Sequence, residues 1–442
     1  MLAIGPPGDH TAAFPGTEAV KGVGPGWRRA VALAIGALVL RVAYVLLAGH
    51  GSGIEPGMDA VEYDAFARLM LSGWHWFTTP LAAREPLYPF LMAVSYALPG
   101  PESGMLKAVQ ILAGAITAPI VYLGLRPLAR ESVALVAGAL VAISPHFVPY
   151  AALPYRENLV IPLLTGFFLF AVHLAVEFRW SRVAGCALSL VLLVHTDTRF
   201  LPYIFVLPAL LLAVNHGWRA TARAWGWTLL VFVVLMVPYQ IRGPLAFGRP
   251  VIVSDRVLEQ WLPLLGARWS TSESGVGHEP GRSAWLLQWE AEKVRTLAEV
   301  TPEERAYFLA GGRPEIGRLP TYWAQFLEFW RFGRFSIAYR PYPDGRVALP
   351  WSKRHLVTSG LVMIPFFILL PFAWWGTPPT ERRLLQAILV LLVVHTLLHV
   401  VVHARERYRI PVEVFTGAVI AISLVNLGQR LPGRGVSARE AG

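Results

Sequence analysis

Apolar stretches of about 20 residues recur along the chain, most of them closed by arginines or by a short polar turn, and predict a bundle of membrane-spanning helices. The first runs from about Trp27 to Gly49, with Arg28 and Arg29 before it, so the basic bias of inner loops puts the N-terminus inside and Asp59 outside. The segment LYPFLMAVSYALPG after Arg84 is about half a span long and reads as a re-entrant or surface-lying helix. Met105–Leu125 then returns to Arg126 and Arg130, about Ser132 to Pro149 goes out to the crowded turn PYREN, and the fourth span comes back to FRWSR. Short spans follow at about Val183–Val194 and Leu201–Val214, joined outside through His195–Arg199. The seventh, about Trp225 to Ile241, leads out past Arg242. Spans at about His355–Trp375, Leu384–Val402 and Val412–Leu427 complete a count of about ten, with arginines at each short inner turn.

Between residues 243 and 353 the pattern turns polar, with helical periodicity across SAWLLQWEAEKVRTLAEV and TYWAQFLEFWRF. The expected organisation is a disordered cytoplasmic tail over 1–26, a transmembrane module over 27–242 with its first outer loop at 50–104, an extracytoplasmic domain over 243–353, transmembrane helices over 354–428 and a second tail over 429–442. The fold class is therefore an α-helical polytopic membrane protein with juxtamembrane helices in the first outer loop and a small outer domain. No internal repeat is visible, which removes a common sequence sign of a secondary transporter.

Composition agrees: 55% of the 442 residues are hydrophobic and 15% charged, with a mean hydropathy of +0.49, outside the range of soluble domains. The net charge of +11 does not point to nucleic acid, because the arginines sit between apolar spans and form no basic run interleaved with stacking aromatics. Cys186 is the single cysteine, so no intramolecular disulfide forms.

With this topology, Asp59, Glu62, Arg84, Glu85, Arg156, Glu157, Asp197, Arg199, Arg242, Arg405, Arg407 and Arg409 all face outwards. Interfacial charges often pair with one another, and for any single residue that reading is as good as function. RERYR at 405–409 is the sharpest feature, because three arginines in a short outer turn run against the inner bias of basic residues and call for an anion. A phosphate matches the planar guanidinium fork; pairing with Glu406, Glu413 or outer carboxylates is the structural alternative. Asp59, Glu62 and Tyr63 share a helical face, where a shielded carboxylate suits a general base and equally suits an N-cap. His395, His399 and His403 recur every four residues, a spacing open to metal and more often a packed polar seam. No GxSxG, HExxH or phosphate-binding loop is present.

Four segments resemble the membrane glycosyltransferases of the GT-C superfamily, in particular the branch of the protein O-mannosyltransferases and the aminoarabinose transferase of lipid A. Asp59 with Tyr63, Ala67 and Gly73 is similar to the family's first outer loop, REPLYPFLMA at 84–93 to its Arg-x-Pro-x-Tyr-Pro segment, PYQIRGPLAFGRPV at 238–251 to the exit of the seventh span, and RERYRIP at 405–411 to its Arg-Tyr-Arg-x-Pro entry. The resemblance implies an inverting transfer from a polyprenyl-phosphate sugar to a hydroxyl of a lipid, glycan or protein, on the outer side of a bacterial plasma membrane. It implies Asp59 as base or acceptor-positioning carboxylate, with Glu157 as a second acidic residue in the next outer loop. Arg84 and Arg407 would hold the leaving phosphate, with Arg409 beside them, and Glu62, Tyr63, Tyr88, Arg199, Arg242 and Tyr408 are the candidate substrate-binding residues. No Asp-x-Asp is present, a departure from the oligosaccharyltransferase pattern, so the expectation is that no cofactor is required, with a divalent cation left open. A flippase for a lipid-linked anion and a polysaccharide polymerase or ligase are the competing functions.

Overall fold

The fold comes from a computed structural model that describes residues 25–47, 58–72, 85–97, 104–215, 217–247, 253–254, 323, 326, 329–330, 351–402 and 408–430. Thirteen α-helices are described, with no strand among the described residues. They are α1 (Pro25–Leu47), α2 (Met58–Ser72), α3 (Leu87–Ala97), α4 (Met105–Leu125), α5 (Glu131–Ala142), α6 (Phe147–Tyr150), α7 (Glu157–Val176), α8 (Trp180–Thr196), α9 (Tyr203–Asn215), α10 (Trp218–Phe247), α11 (Trp351–Trp374), α12 (Pro379–Val402) and α13 (Glu413–Gly428). Short 3-10 turns at Thr198–Phe200 and Ile410–Val412 lead towards α9 and α13.

Six helical stretches are long and apolar enough to cross a membrane: Gly26–Leu47, Met105–Leu125, Glu157–Val176, Trp218–Arg242, Pro379–Val401 and Ile410–Gly428. The other expected spans correspond to shorter apolar helices, Glu131–Ala142, Trp180–Thr196, Tyr203–Asn215 and Ser359–Trp374. At a rise of about 1.5 Å per residue, the 11 residues of α3 cover about half a hydrocarbon core. The length that argued against a span in LYPFLMAVSYALPG is thus the length of the helix.

Two expected boundaries are corrected. The third apolar run is not one helix: α5 stops at Ala142, and the chain turns through Ile143–His146 before α6. Pro145, which has no N–H for a helical ladder, sits in that break. Arg41 of α1 is fully buried there and donates from Nη1 to the carbonyls of Ala37 at 3.0 Å and Ala142 at 3.2 Å, capping the end of α5. The seventh helix starts at Trp218, so Arg219 and Arg223 lie on its opening turns and not in a loop.

Within the bundle α7 packs on α4, α8 and α9, while α13 packs on α5 and α11. Of the six spans α13 is the most enclosed and α1 the least. Close packing uses small residues: a Cβ on Gly138 of α5 would stand 3.1 Å from the carbonyl oxygen of Ala118 and 2.9 Å from Leu33. At the end of the bundle where α4 and α13 finish, Arg130 grips Glu381 with two bonds of 2.7 Å and reaches Gln429 at 2.6 Å, tying the α4–α5 turn to α12 and α13. Residues 1–24, most of the expected outer domain and 431–442 lie outside the described residues. Of TYWAQFLEFWRF, positions 323, 326, 329 and 330 are helical.

Candidate active site

At the opposite end of the bundle, four buried charges from three segments form one chain of ion pairs. Glu85 precedes α3, Arg156 precedes α7, and Asp197 and Arg199 follow α8. Arg156 binds Glu85 through Nη1 at 3.0 Å and Asp197 through Nη2 at 3.1 Å. Asp197 in turn holds Arg199, whose Nε lies 2.9 Å from Oδ1, and accepts from the Arg199 backbone N–H at 3.1 Å. The other Glu85 oxygen accepts from the Thr198 hydroxyl at 2.9 Å. Charges this deep are tolerated because each faces an opposite charge and is hydrogen-bonded.

These pairings fix the protonation of the set. Burial pushes the Asp197 carboxyl up, but the guanidinium groups of Arg156 and Arg199 outweigh it and hold the carboxyl below the usual aspartate range. Burial likewise opposes charge on both arginines, and it is outweighed at Arg156 by Asp197 together with Tyr63, Glu85 and Glu157, and at Arg199 by Asp197 together with Tyr408. A carboxyl with a depressed pKa contributes stability that is full above its unfolded value and lost as pH falls towards the folded one. Thermal stability is therefore expected to fall below the ordinary aspartate pKa of about 3.9. Melting curves across that range should be shallower for Asp197→Asn; parallel curves would remove Asp197 from the acid response.

The network reaches the last helices through Arg199, whose guanidinium carbon lies 3.5 Å from the centre of the Tyr408 ring. The Tyr408 carbonyl accepts from His395 Nε2 at 2.8 Å, so Nδ1 of that ring receives the Tyr203 hydroxyl. His399 Nδ1 donates to the His395 carbonyl at 2.8 Å. The histidine stripe is a packed polar seam at these two positions, and His403 lies outside the described residues. Among the described residues no group of three or more His, Cys, Asp or Glu side chains comes together as a metal site.

A second buried cluster holds the entry to α13. Arg409, 1% exposed, donates to Glu413 at 3.2 Å, to the Phe329 carbonyl at 3.2 Å and to Ser359 at 3.4 Å. His146 donates from Nδ1 to Glu413 at 2.6 Å, and its Nε2 lies 3.3 Å from the Ser359 hydroxyl. Sequence reading did not single out His146, Glu85's partner Thr198 or Ser359. The one signal for His146 was its place beside Pro145 inside an apolar run.

The remaining candidates lie around the ion-pair chain. Tyr63 of α2 meets Tyr88 of α3 edge to face, with ring centroids 5.0 Å apart, and both are buried. The Tyr88 hydroxyl accepts from Gln110 at 2.8 Å. Glu157, the first residue of α7, is buried, and its Oε2 has no hydrogen-bond partner among the described residues. Arg242 donates to the Tyr239 hydroxyl at 2.8 Å, which itself donates to the Val253 carbonyl at 3.0 Å. Asp59 and Glu62 lie on α2, with Asp59 one turn before Tyr63, but their side chains are outside the described set, as are Arg84, Arg405 and Arg407 entirely. An apolar cavity of about 220 Å³ opens beside this end, between Pro86 and Leu87, Val191, Leu192 and His195 of α8, and Leu235, Pro238 and Tyr239 of α10.

Helices long and apolar enough to span a membrane, gathered around a buried, arginine-rich polar centre at one end, define an integral membrane protein. Residues 80–241, which include Glu85, Arg156, Glu157, Asp197 and Arg199, match the family model described as dolichyl-phosphate-mannose-protein mannosyltransferase. The oligosaccharyltransferase of Archaeoglobus fulgidus in its apo form is similar over 92% of this chain and 51% of its own, at 14% identity and a TM-score of 0.57. AglB, the archaeal oligosaccharyltransferase from Archaeoglobus fulgidus, in complex with an inhibitory peptide and a dolichol-phosphate, matches over 90% and 50%, at 14% identity and a TM-score of 0.53. ArnT from Cupriavidus metallidurans in the apo state aligns over 90% and 77% at 14% identity, with a TM-score of 0.39. This chain thus spans about half the length of the oligosaccharyltransferases, with which it shares a fold. No curated protein matches it by sequence.

Proposed function

We propose that the chain is an inverting glycosyltransferase that moves a sugar from a polyprenyl-phosphate donor to a hydroxyl acceptor on the extracytoplasmic face of the membrane. The observation that carries this reading is the meeting of Glu85, Arg156, Asp197, Arg199 and Tyr408 at one end of the bundle. That meeting brings positions next to Arg84 and Arg407 into one neighbourhood, although they are more than 300 residues apart in sequence. The family matched over 80–241 and the dolichol-phosphate held by AglB support a lipid-phosphate donor.

In this mechanism Asp59 takes the proton of the acceptor hydroxyl as its oxygen attacks the anomeric carbon. The bond from that carbon to the phosphate oxygen breaks, its electron pair stays on the phosphate, and a single displacement inverts the centre. Arg84 and Arg407 meet the growing negative charge, where fixed donors in a water-poor site stabilise the transition state more than the ground state. Glu157 orients the acceptor, and Tyr63, Tyr88, Arg199, Arg242 and Tyr408 shape the site with Glu62. Arg409 acts as a positioning residue that anchors the RERYR turn to Glu413 and Ser359. The cavity beside Pro86 takes the first isoprene units, and the outer domain shapes the acceptor side.

Removing one donor to the leaving phosphate is expected to cost on the order of 3 kcal/mol, which is about a hundred-fold. Arg407→Ala should lower turnover by about that factor and weaken donor binding by less, the second read by titrating a polyprenyl-phosphate sugar into the reconstituted chain. Unchanged affinity would return the arginine turn to pairing with carboxylates.

A further inference from the structure

At the other end of the bundle, where α7 and α9 finish and α10 begins, lies a cavity of about 130 Å³ lined in part by Val176, Phe178, Asn215, Thr221 and Arg223. It is far larger than one water requires. Thr221 is 2% exposed, and its hydroxyl has no hydrogen-bond partner among the described residues. Thr117, Thr165, Thr196, Thr228 and Thr396 each return their hydroxyl to the carbonyl four residues back, the usual way to satisfy a threonine in an apolar helix. Thr221 departs from that habit and leaves a buried donor in the wall of the cavity.

The charges nearby are cationic. Arg223 lies over the Phe178 ring at 4.5 Å and forms no ion pair among the described residues. Arg219 sits on the same opening turns of α10, and Arg179 and Arg182 share the carboxylate of Glu177 at 2.7 and 3.0 Å. The end of α7 would ordinarily repel an anion through its free carbonyls. Here Arg182 screens part of that end, donating to the His173 and Glu177 carbonyls at 2.8 Å each. Exposed Trp180, Trp218 and Trp227 surround the region, and indoles of this kind sit at headgroup depth.

We propose that this cavity binds a phosphate group, presented by an anionic phospholipid of the leaflet at this end, with Arg223 pairing its charge and Thr221 donating to an oxygen. The site is independent of the sugar-transfer reading, since it lies at the far end of the bundle from Glu85.

The test is native mass spectrometry and melting of the full chain in phosphatidylcholine nanodiscs, with and without phosphatidylglycerol, and a third arm of phosphatidylcholine with inorganic phosphate. Preferential retention of phosphatidylglycerol is expected, falling about five-fold in Arg223→Gln, the weight of one basic residue at an anionic surface. Thr221→Val, nearly isosteric, should lower it too while melting as the wild type does in phosphatidylcholine alone, and it carries the test if Arg223→Gln does not fold. Arg28→Gln, a cation at the start of α1 and outside the cavity, gives the loss that surface charge alone produces; an equal loss there, with none in Thr221→Val, would overturn the site. Stabilisation by inorganic phosphate that depends on Thr221, without lipid preference, would overturn the lipid as the source and keep the phosphate. Equal preference in wild type and both variants, or no response in any arm, would overturn the site.

Discussion

Asp59→Asn is expected to abolish sugar transfer while leaving the chain folded. A general base contributes about 100- to 10,000-fold, and asparagine keeps the shape and capping ability of aspartate but cannot take a proton. Asp59 stands one turn before Tyr63 on α2, whose ring packs on Tyr88 of α3, so the position is held against the REPLYP segment by buried aromatic contact. Release of polyprenyl phosphate from a labelled donor, measured beside the melting temperature of the variant, separates loss of chemistry from loss of fold. A fully active variant would take Asp59 out of the mechanism and favour a flippase or a ligase.

Arg156→Met should produce the second large effect, on stability. The guanidinium group bridges Glu85 and Asp197, all three at 4% exposure or less, and removing it leaves two carboxylates buried side by side. Breaking such a pair typically costs about 3–5 kcal/mol. Adding Glu85→Gln should recover part of the loss, because glutamine carries no charge and its amide oxygen still accepts from Thr198. Chemical denaturation of the single and double variants reads this directly. A single variant as stable as wild type, or a double variant less stable than the single, would contradict the ion-pair account.

The same residues show how far the sequence could be read. Met105–Leu125 was legible to the residue because an apolar run of membrane length ends in arginines, and a short run at 87–97 was recognisable by length alone. That Glu85, Arg156, Asp197 and Arg199 would lie at one end followed from counting spans, since alternating helices return every second turn to one side. Who pairs with whom did not follow. Arg199 was a substrate candidate by position, yet its guanidinium lies against Asp197 and Tyr408, and the second of these comes from the other end of the sequence, just before the Ile410–Val412 turn.

Other features were hidden for local reasons. The break between α5 and α6 falls at Ser144–His146, three residues flanked on both sides by apolar ones, so hydropathy averaged over a span hides the point where Pro145 interrupts the ladder. Arg41 was visible as a lone charge inside the first span, but its use as a cap depends on α5 ending at the same depth. His146, Ser359, Arg409 and Glu413 come from segments up to 267 residues apart, and no periodicity links them. Thr221 reads as an ordinary helical threonine until its missing bond is seen.

The most direct test is mass spectrometry of lipids that copurify with the wild-type chain and with Asp59→Asn. The proposed function predicts a polyprenyl-phosphate sugar retained on the inactive variant and the sugar-free polyprenyl phosphate on the wild type. Purified protein of both kinds carrying no polyprenyl-phosphate lipid, under conditions that preserve other bound lipids, would contradict it.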